Sequence, residues 1–240
     1  MIRADAFPAL QVRALLSDCD GVIVDSEHIA DEIMVRTLAR AFGTQDVAGH
    51  LEGLFGLNVS DIIRRVAERL EQPLSPQQCL QLHVAIDAEV AERAPVMPGT
   101  AEVYRQLALP LAVVSNSEPP RLRRCVERSG LEPLVGEHVY SAPHVGAPKP
   151  APDAYLHAAS RLQVPASACL VIEDSLTGVR AARAAGIEVI GFVGGSHIQE
   201  GHAQALLDAG ALGCIQDMHE LLPLVQAHRG APRGPGPAGL

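Results

Sequence analysis

Asp18-Cys19-Asp20-Gly21-Val22-Ile23-Val24-Asp25-Ser26-Glu27 is the stretch on which the fold turns. Val12, Ala14, Leu15 and Leu16 lead into it as an apolar, branched run, the pattern of a parallel strand covered by helices on both faces. The run then breaks into two carboxylates and a glycine. Acids at the carboxyl end of a central strand lie where open α/β sheets place their ligands. Two acids this close repel each other and persist only with a cation, a shared proton or solvent, and a metal is the obvious candidate. The same residues also read as a polar strand-to-helix turn in which Asp18 or Asp20 caps backbone N–H groups and Gly21 supplies an unusual φ. The local motif alone does not decide between the two.

The totals narrow the class. A chain of 240 residues with 48% hydrophobic residues can bury a substantial core in one large or two small domains. A net charge of −9 argues against a nucleic-acid surface, and the local cluster Arg121, Arg123 and Arg124 is too short to reverse that. No apolar run has the length of a bilayer span, and the first residues lack the apolar block of a signal peptide. A cytoplasmic protein with no membrane, nucleic-acid or obligate protein partner is the expectation. The five cysteines (Cys19, Cys79, Cys125, Cys169, Cys214) are odd in number and widely spaced, which fits small core residues better than disulfides or a zinc site. Carboxylates beside Cys19 disfavour a reactive thiolate there.

After Glu27 the period becomes helical, with Ile29, Ile33, Met34, Leu38 and Phe42 on one face and Gly43 as the stop. Helical stretches from Val59 to Leu70 and from Pro76 to Ala94 follow without strand-like alternation, so residues 27–96 read as an all-helical cap domain. Pro95-Val96-Met97-Pro98-Gly99 is rigid and turn-rich, as a boundary should be. From Thr100 helices and strands alternate, with strands at Leu111–Ser115, near His138–Ser141, at Cys169–Ile172, at Ile187–Val193 and at Cys214–Ile215. Repeated βα units of this kind predict a doubly wound parallel sheet built from residues 1–26 and 97–228. The Pro- and Gly-rich residues 229–240 read as a disordered tail.

In such a sheet the strand ends share one crevice, so the polar residues after each apolar run can be tested together. Val113-Val114 ends in Ser115 and Asn116, and Val171-Ile172 ends in Glu173, Asp174 and Ser175. Ser115 and Asn116 are also ordinary turn formers, and Asp174 or Ser175 also serves as a helix cap. Glu173 is harder to dismiss, because two more acids beside Asp18 and Asp20 compound the repulsion. Lys149 stands out because the chain has 18 arginines and this single lysine. A compact ammonium makes a point contact to phosphate or carboxylate oxygens where Arg's planar fork does not fit.

DCDGVIVDSE, VVSNS, the lysine of KPAPDAY and IEDSLTGVRAA, in this order and with a helical insert after the first, resemble the haloacid dehalogenase superfamily. More narrowly they resemble its β-phosphoglucomutase and sugar-phosphatase branch, over about Leu15 to Val193. The resemblance implies Asp18 as the nucleophile of an aspartyl-phosphate and Asp20 as general acid/base. It implies Ser115, with Asn116, and Lys149 as phosphate-binding residues, and Asp18, Asp174, Glu173 and the backbone carbonyl of Asp20 as the Mg²⁺ site. An all-oxygen set with one or two carboxylates plus substrate phosphate suits Mg²⁺.

Mutase members carry a histidine where this chain has Ala30, and a cap-loop arginine three residues after a glycine, where this chain has Val59 after Gly56. A phosphatase of small phosphorylated metabolites, most simply sugar or sugar-acid phosphates, is therefore favoured over a phosphosugar mutase. A non-catalytic binding protein is the rival of a different class. Glu27, His28 and Asn58 are the cap-side substrate candidates, although His28 also reads as a solvated helix residue. His197 follows the last long strand at the same sheet edge, which brings it within reach of the site, although it reads more simply as part of a plain loop.

Overall fold

The computed structural model describes residues 11–44, 46–54 and 58–227. The proposed tail, the first ten residues and Gly56 lie outside them. Chain order gives β1 (Ala14–Ser17), then α1 (Glu27–Phe42), α2 (Val47–Leu51), α3 (Val59–Arg69) and α4 (Pro76–Arg93). It continues with α5 (Thr100–Leu107), β2 (Leu111–Ser115), α6 (Pro119–Arg128), α7 (Glu132–Val135), β3 (Val139–Ser141), α8 (Ala142–Val145) and α9 (Asp153–Arg161). Then follow β4 (Cys169–Glu173), α10 (Leu176–Ala184), β5 (Glu188–Phe192), α11 (His202–Asp208), β6 (Gly213–Ile215) and α12 (Leu221–Ala227).

All six strands pair in parallel in the order β3-β2-β1-β4-β5-β6. β1 is therefore central, with β2 and β4 on either side, and the chain reverses its direction of winding beside it. That is the switch point at which doubly wound sheets open a crevice. The register aligns Ser17 with Val113 and with Ile172, so the residues just beyond each strand emerge at one level.

Helices cover both faces, and the alternation of side chains along each strand divides the core in two. Leu15, Val113, Leu170 and Ile172 point into one apolar cluster, while Ala14, Leu16, Val114 and Val171 point into the other. The first cluster runs on without a break into the helical insert through Ile33, Leu38, Ile63 and Val90. Sequence periodicity placed the long helices closely. It missed the short α2, α7 and α8, because pieces of four or five residues show no period.

The insert leaves and returns at one place. Val24 bridges Val96, the Asp25 amide donates to the Pro95 carbonyl at 2.8 Å and the Met97 amide donates to Ile23 at 2.8 Å. Both connecting segments are thus hydrogen-bonded side by side, a few residues beyond Asp20. Among the described residues no helix is long and apolar enough to cross a membrane.

Leu16 is fully buried between β2 and β4 in the face away from the insert. Leu16→Ala should lower stability by about 2–5 kcal/mol through lost burial and a residual cavity. A lower urea midpoint with unchanged slope is the expected reading.

Candidate active site

Asp18 is the first residue after β1 and Lys149 lies in the loop before α9. The Lys149 Nζ donates to Asp18 Oδ1 at 2.7 Å, to Glu173 Oε1 at 2.6 Å and to the Val114 carbonyl at 2.8 Å. Three donors meet three acceptors, so this buried ammonium is fully satisfied. Burial alone would lower its pKa, but Asp18 and Glu173 outweigh that and keep it charged. Its ammonium also lies 4.9 Å from the centre of the Tyr155 ring. So enclosed a site has no room for a guanidinium, which accounts for the one lysine in an arginine-rich chain.

Asn116 holds this lysine in place from the neighbouring loop. Its side chain accepts from the Lys149 amide at 2.8 Å and donates to the Lys149 carbonyl at 3.2 Å. The side chain predicted to meet phosphate is thus committed to the backbone of Lys149. Glu173 is equally occupied. It accepts from Tyr155 at 2.8 Å as well as from Lys149, and from the Ser175 amide and hydroxyl at 3.1 and 2.9 Å. Gly178 in α10 makes room for it, since a Cβ there would lie 1.7 Å from Glu173 Oε1.

Asp18, Glu173 and Asp174 bring carboxylate oxygens within 4.8 Å of one another, and all three are buried. Gly21, at φ +76°, lets the first turn pass close over this group, because a Cβ there would lie 1.8 Å from Asp174 Oδ2. Burial, and then the charge of Glu173, pushes the Asp18 carboxyl above the usual carboxylate range, with Lys149 pulling the other way. Burial likewise lifts Asp174 to about 6 against the hydrogen bond from His197. With all three acids ionised, three negative charges face one positive one and leave two unbalanced. A divalent cation with a preference for oxygen fits that donor set and that charge.

Asp20 points elsewhere. Its oxygens accept from Ser26 at 2.7 Å, Ser117 at 2.7 Å, Ser115 at 3.2 Å and Arg121 at 2.5 Å. Burial would raise its pKa, but the Arg121 charge and the hydroxyl donors dominate and hold it at about 2. Its side chain lies outside the three-acid group, so any part in holding a metal falls to its backbone carbonyl. Ser115, Asp18, Lys149 and Asp174 line one cleft of about 900 Å³ with Asp20 on its wall.

The far wall of that cleft comes from the insert. Glu27 and Asn58 line it, and Asn58 also caps α3 by accepting from the Asp61 amide at 2.9 Å. His28 does not reach it. One position further round α1, His28 faces a separate surface depression with Asp31 and Glu32, so the solvated-helix reading holds there. Of the two readings of His197, the structure favours approach to the site over a plain loop. The His197 Nε2 lies 3.1 Å from Asp174 Oδ2, and Asp25 pins the loop by accepting from the Ser196 amide at 3.1 Å. Sequence reasoning assigns no role to Ser26, Ser117, Tyr155, Ser60, His83 and Asp87, and it marks Arg121 only as part of a short basic cluster. Cys19 is buried and unpaired by a disulfide, as expected of a core residue.

Fold and site together define a doubly wound α/β enzyme whose strand ends gather carboxylates around one buried lysine. The family model for haloacid dehalogenase-like hydrolases matches residues 12–186. The chain belongs to that family. A bifunctional riboflavin kinase/FMN phosphatase of Arabidopsis thaliana is 26% identical over 188 residues, which cover 73% of this chain and 47% of that protein. The chain thus spans about half of that relative. A 6-phosphogluconate phosphatase of Escherichia coli (strain K12) is 27% identical over 192 residues, 78% of this chain and 85% of that protein. Among solved structures, a conserved haloacid dehalogenase-like protein from Agrobacterium tumefaciens superposes with a TM-score of 0.72 at 35% identity, over 90% of this chain and 98% of that one.

Lys149→Met would leave Asp18 and Glu173 buried without their counter-charge and should cost about 3–5 kcal/mol of stability. Lys149→Arg should also be less stable than the natural protein, by about 1–3 kcal/mol of overpacking. Chemical denaturation of both variants checks this, and a stable Lys149→Arg would contradict the enclosed geometry.

Proposed function

We propose that this phosphoric monoester hydrolase acts on small sugar or sugar-acid phosphates through an aspartyl-phosphate on Asp18, with Mg²⁺ as its metal. The observation that carries the reading is the separation of two carboxylates two residues apart. Asp18 lies in the charge cluster with Lys149, and Asp20 is held apart by hydroxyls and a guanidinium. The first surrounding suits a group that attacks and the second a group that carries a proton.

In the first step an Asp18 oxygen bonds to phosphorus as the bond to the leaving alkoxide breaks, and Asp20 supplies the proton that the alkoxide takes. Asp20 is ionised as it stands. A phosphate dianion arriving beside it raises its proton affinity, as any nearby negative charge does. In the second step Asp20 takes a proton from the water that attacks the aspartyl-phosphate, and the Asp18 carboxylate leaves. Ser115 and Lys149 orient the phosphoryl oxygens, and Lys149 offsets charge that grows there. Asp18, Asp174 and Glu173, with the Asp20 carbonyl, would hold the metal or orient its ligands, and it would supply further charge neutralisation at the phosphate.

Asn58, Ser60, His83 and Glu27 give the cap side of the cleft a polar lining suited to hydroxyl-bearing leaving groups. The Escherichia coli relative, named for a sugar-acid phosphate, supports the same class. Hydrolysis is favoured over phosphate return. Ala30, where mutase members have a histidine, packs against the apolar core and offers no group to a reacting atom.

Phosphate release over a panel of sugar phosphates, sugar-acid phosphates and 4-nitrophenyl phosphate tests the proposal. Asp18→Asn should lower kcat by more than about 10³-fold with an unchanged far-ultraviolet spectrum. Chelation of divalent ions should stop release and Mg²⁺ should restore it. Isomerised hexose phosphate without free phosphate, formed in the presence of a trace of bisphosphate, would identify a mutase instead.

A further inference from the structure

Arg121, Arg124 and Arg128 recur at three- and four-residue spacing and so share one face of α6. That face meets α4 of the insert. Arg124 forks onto Glu92 at 2.7 and 3.0 Å, and Arg128 donates to the carbonyls of Ala91 and Ala94, both at 2.8 Å. Both of these bind insert to core without touching the reaction site. The Arg124 pair is solvent-exposed, which limits what it contributes.

Arg121 differs in burial and in partners. Its side chain is 11% exposed, and its two terminal nitrogens go to carboxylates on different parts of the molecule. Nη1 reaches Asp87 of the insert at 3.3 Å, and Nη2 reaches Asp20 at 2.5 Å. Its Nε is buried with no partner among the described residues, so the group depends on those two acids. Asp87 is braced in turn. Its other oxygen accepts from His83 at 3.2 Å, and His83 meets the Ser60 hydroxyl of α3 at 2.8 Å. A continuous polar chain therefore runs from α3 through α4 to Asp20.

We infer that Arg121 is a positioning residue that ties the placement of the Asp20 carboxylate to the seating of the helical insert through Asp87. When Asp87 occupies one end of the fork, the other end meets Asp20 in a fixed direction. When the insert lifts, Arg121 loses one of its two acids and the geometry at Asp20 changes with it. A planar guanidinium sends its two terminal nitrogens along fixed, diverging directions, whereas an ammonium turns freely about its stem and fixes direction less well. The inference rests on Asp20 as the proton carrier of the proposed reaction.

The test compares kcat/KM, which reports only as far as release of the first alcohol, for a sugar phosphate and for 4-nitrophenyl phosphate. The second leaving group departs without a proton. Arg121→Gln should lower kcat/KM by about 10²-fold on the sugar phosphate and by less than about 10-fold on the aryl ester. In an Asp20→Asn background the same change should cost less than about twofold more, because residues acting through one another are not additive. Arg121→Lys and Asp87→Asn should show the same inequality at smaller size and keep the measurement available if the glutamine variant folds poorly. Arg124→Gln, which loosens only the insert, should lower both esters by one common factor.

Equal losses on the two esters for the Arg121 and Asp87 variants, or full additivity with Asp20→Asn, would overturn the inference while leaving Asp20 its role. Equal losses for Asp20→Asn alone would overturn the proton-carrier reading and the Arg121 link together.

Discussion

Everything at this site depends on one buried ammonium. Lys149 lies between Asp18 and Glu173, and its third hydrogen bond goes to the end of β2, so a single point charge ties together three neighbouring strands. Ion pairs this deep are costly to desolvate and persist where geometry and hydrogen bonds are complete. Completeness here is supplied from outside. Asn116 fixes the lysine's backbone, Tyr155 and Ser175 fix Glu173, and Gly178 removes the side chain that would displace it. The place of Asp18 follows from this frame, since its carboxylate has little freedom once Lys149 has none.

The frame also leaves a charge deficit in a defined position. Lys149 offsets one of the three clustered negative charges while touching Asp18 and Glu173, and Asp174, which it does not touch, faces His197. Fold and site thus agree: the sheet delivers the acids to one level, and their oxygens form a donor set that suits a divalent cation.

How much of this was legible beforehand follows from how local each signal was. Strand ends were readable because an apolar run that stops at an acid announces both the element and its exposed end. Lys149 was readable from composition, as the lone lysine in a chain otherwise using arginine. His28 was misplaced because one residue is a hundred degrees of helix, and Glu27 rather than His28 has the phase that faces the cleft. Arg121 and Asp87 were out of reach for another reason. They stand 34 positions apart, with a chain return, a helix and a strand between them, and only packing α6 on α4 brings them together. The basic cluster around Arg121 was visible, and its meaning as an internal fastening was not.

The paired linkers carry a consequence of their own. Because residues 23–25 and 95–97 are hydrogen-bonded to each other, the sheet perceives the whole insert as one short excursion whose ends already touch. Register among the six strands is therefore indifferent to what is threaded between them. Such a junction works like a socket. A plug of another length seated there would meet the same two contacts at its ends, Val24 with Val96 and Met97 with Ile23.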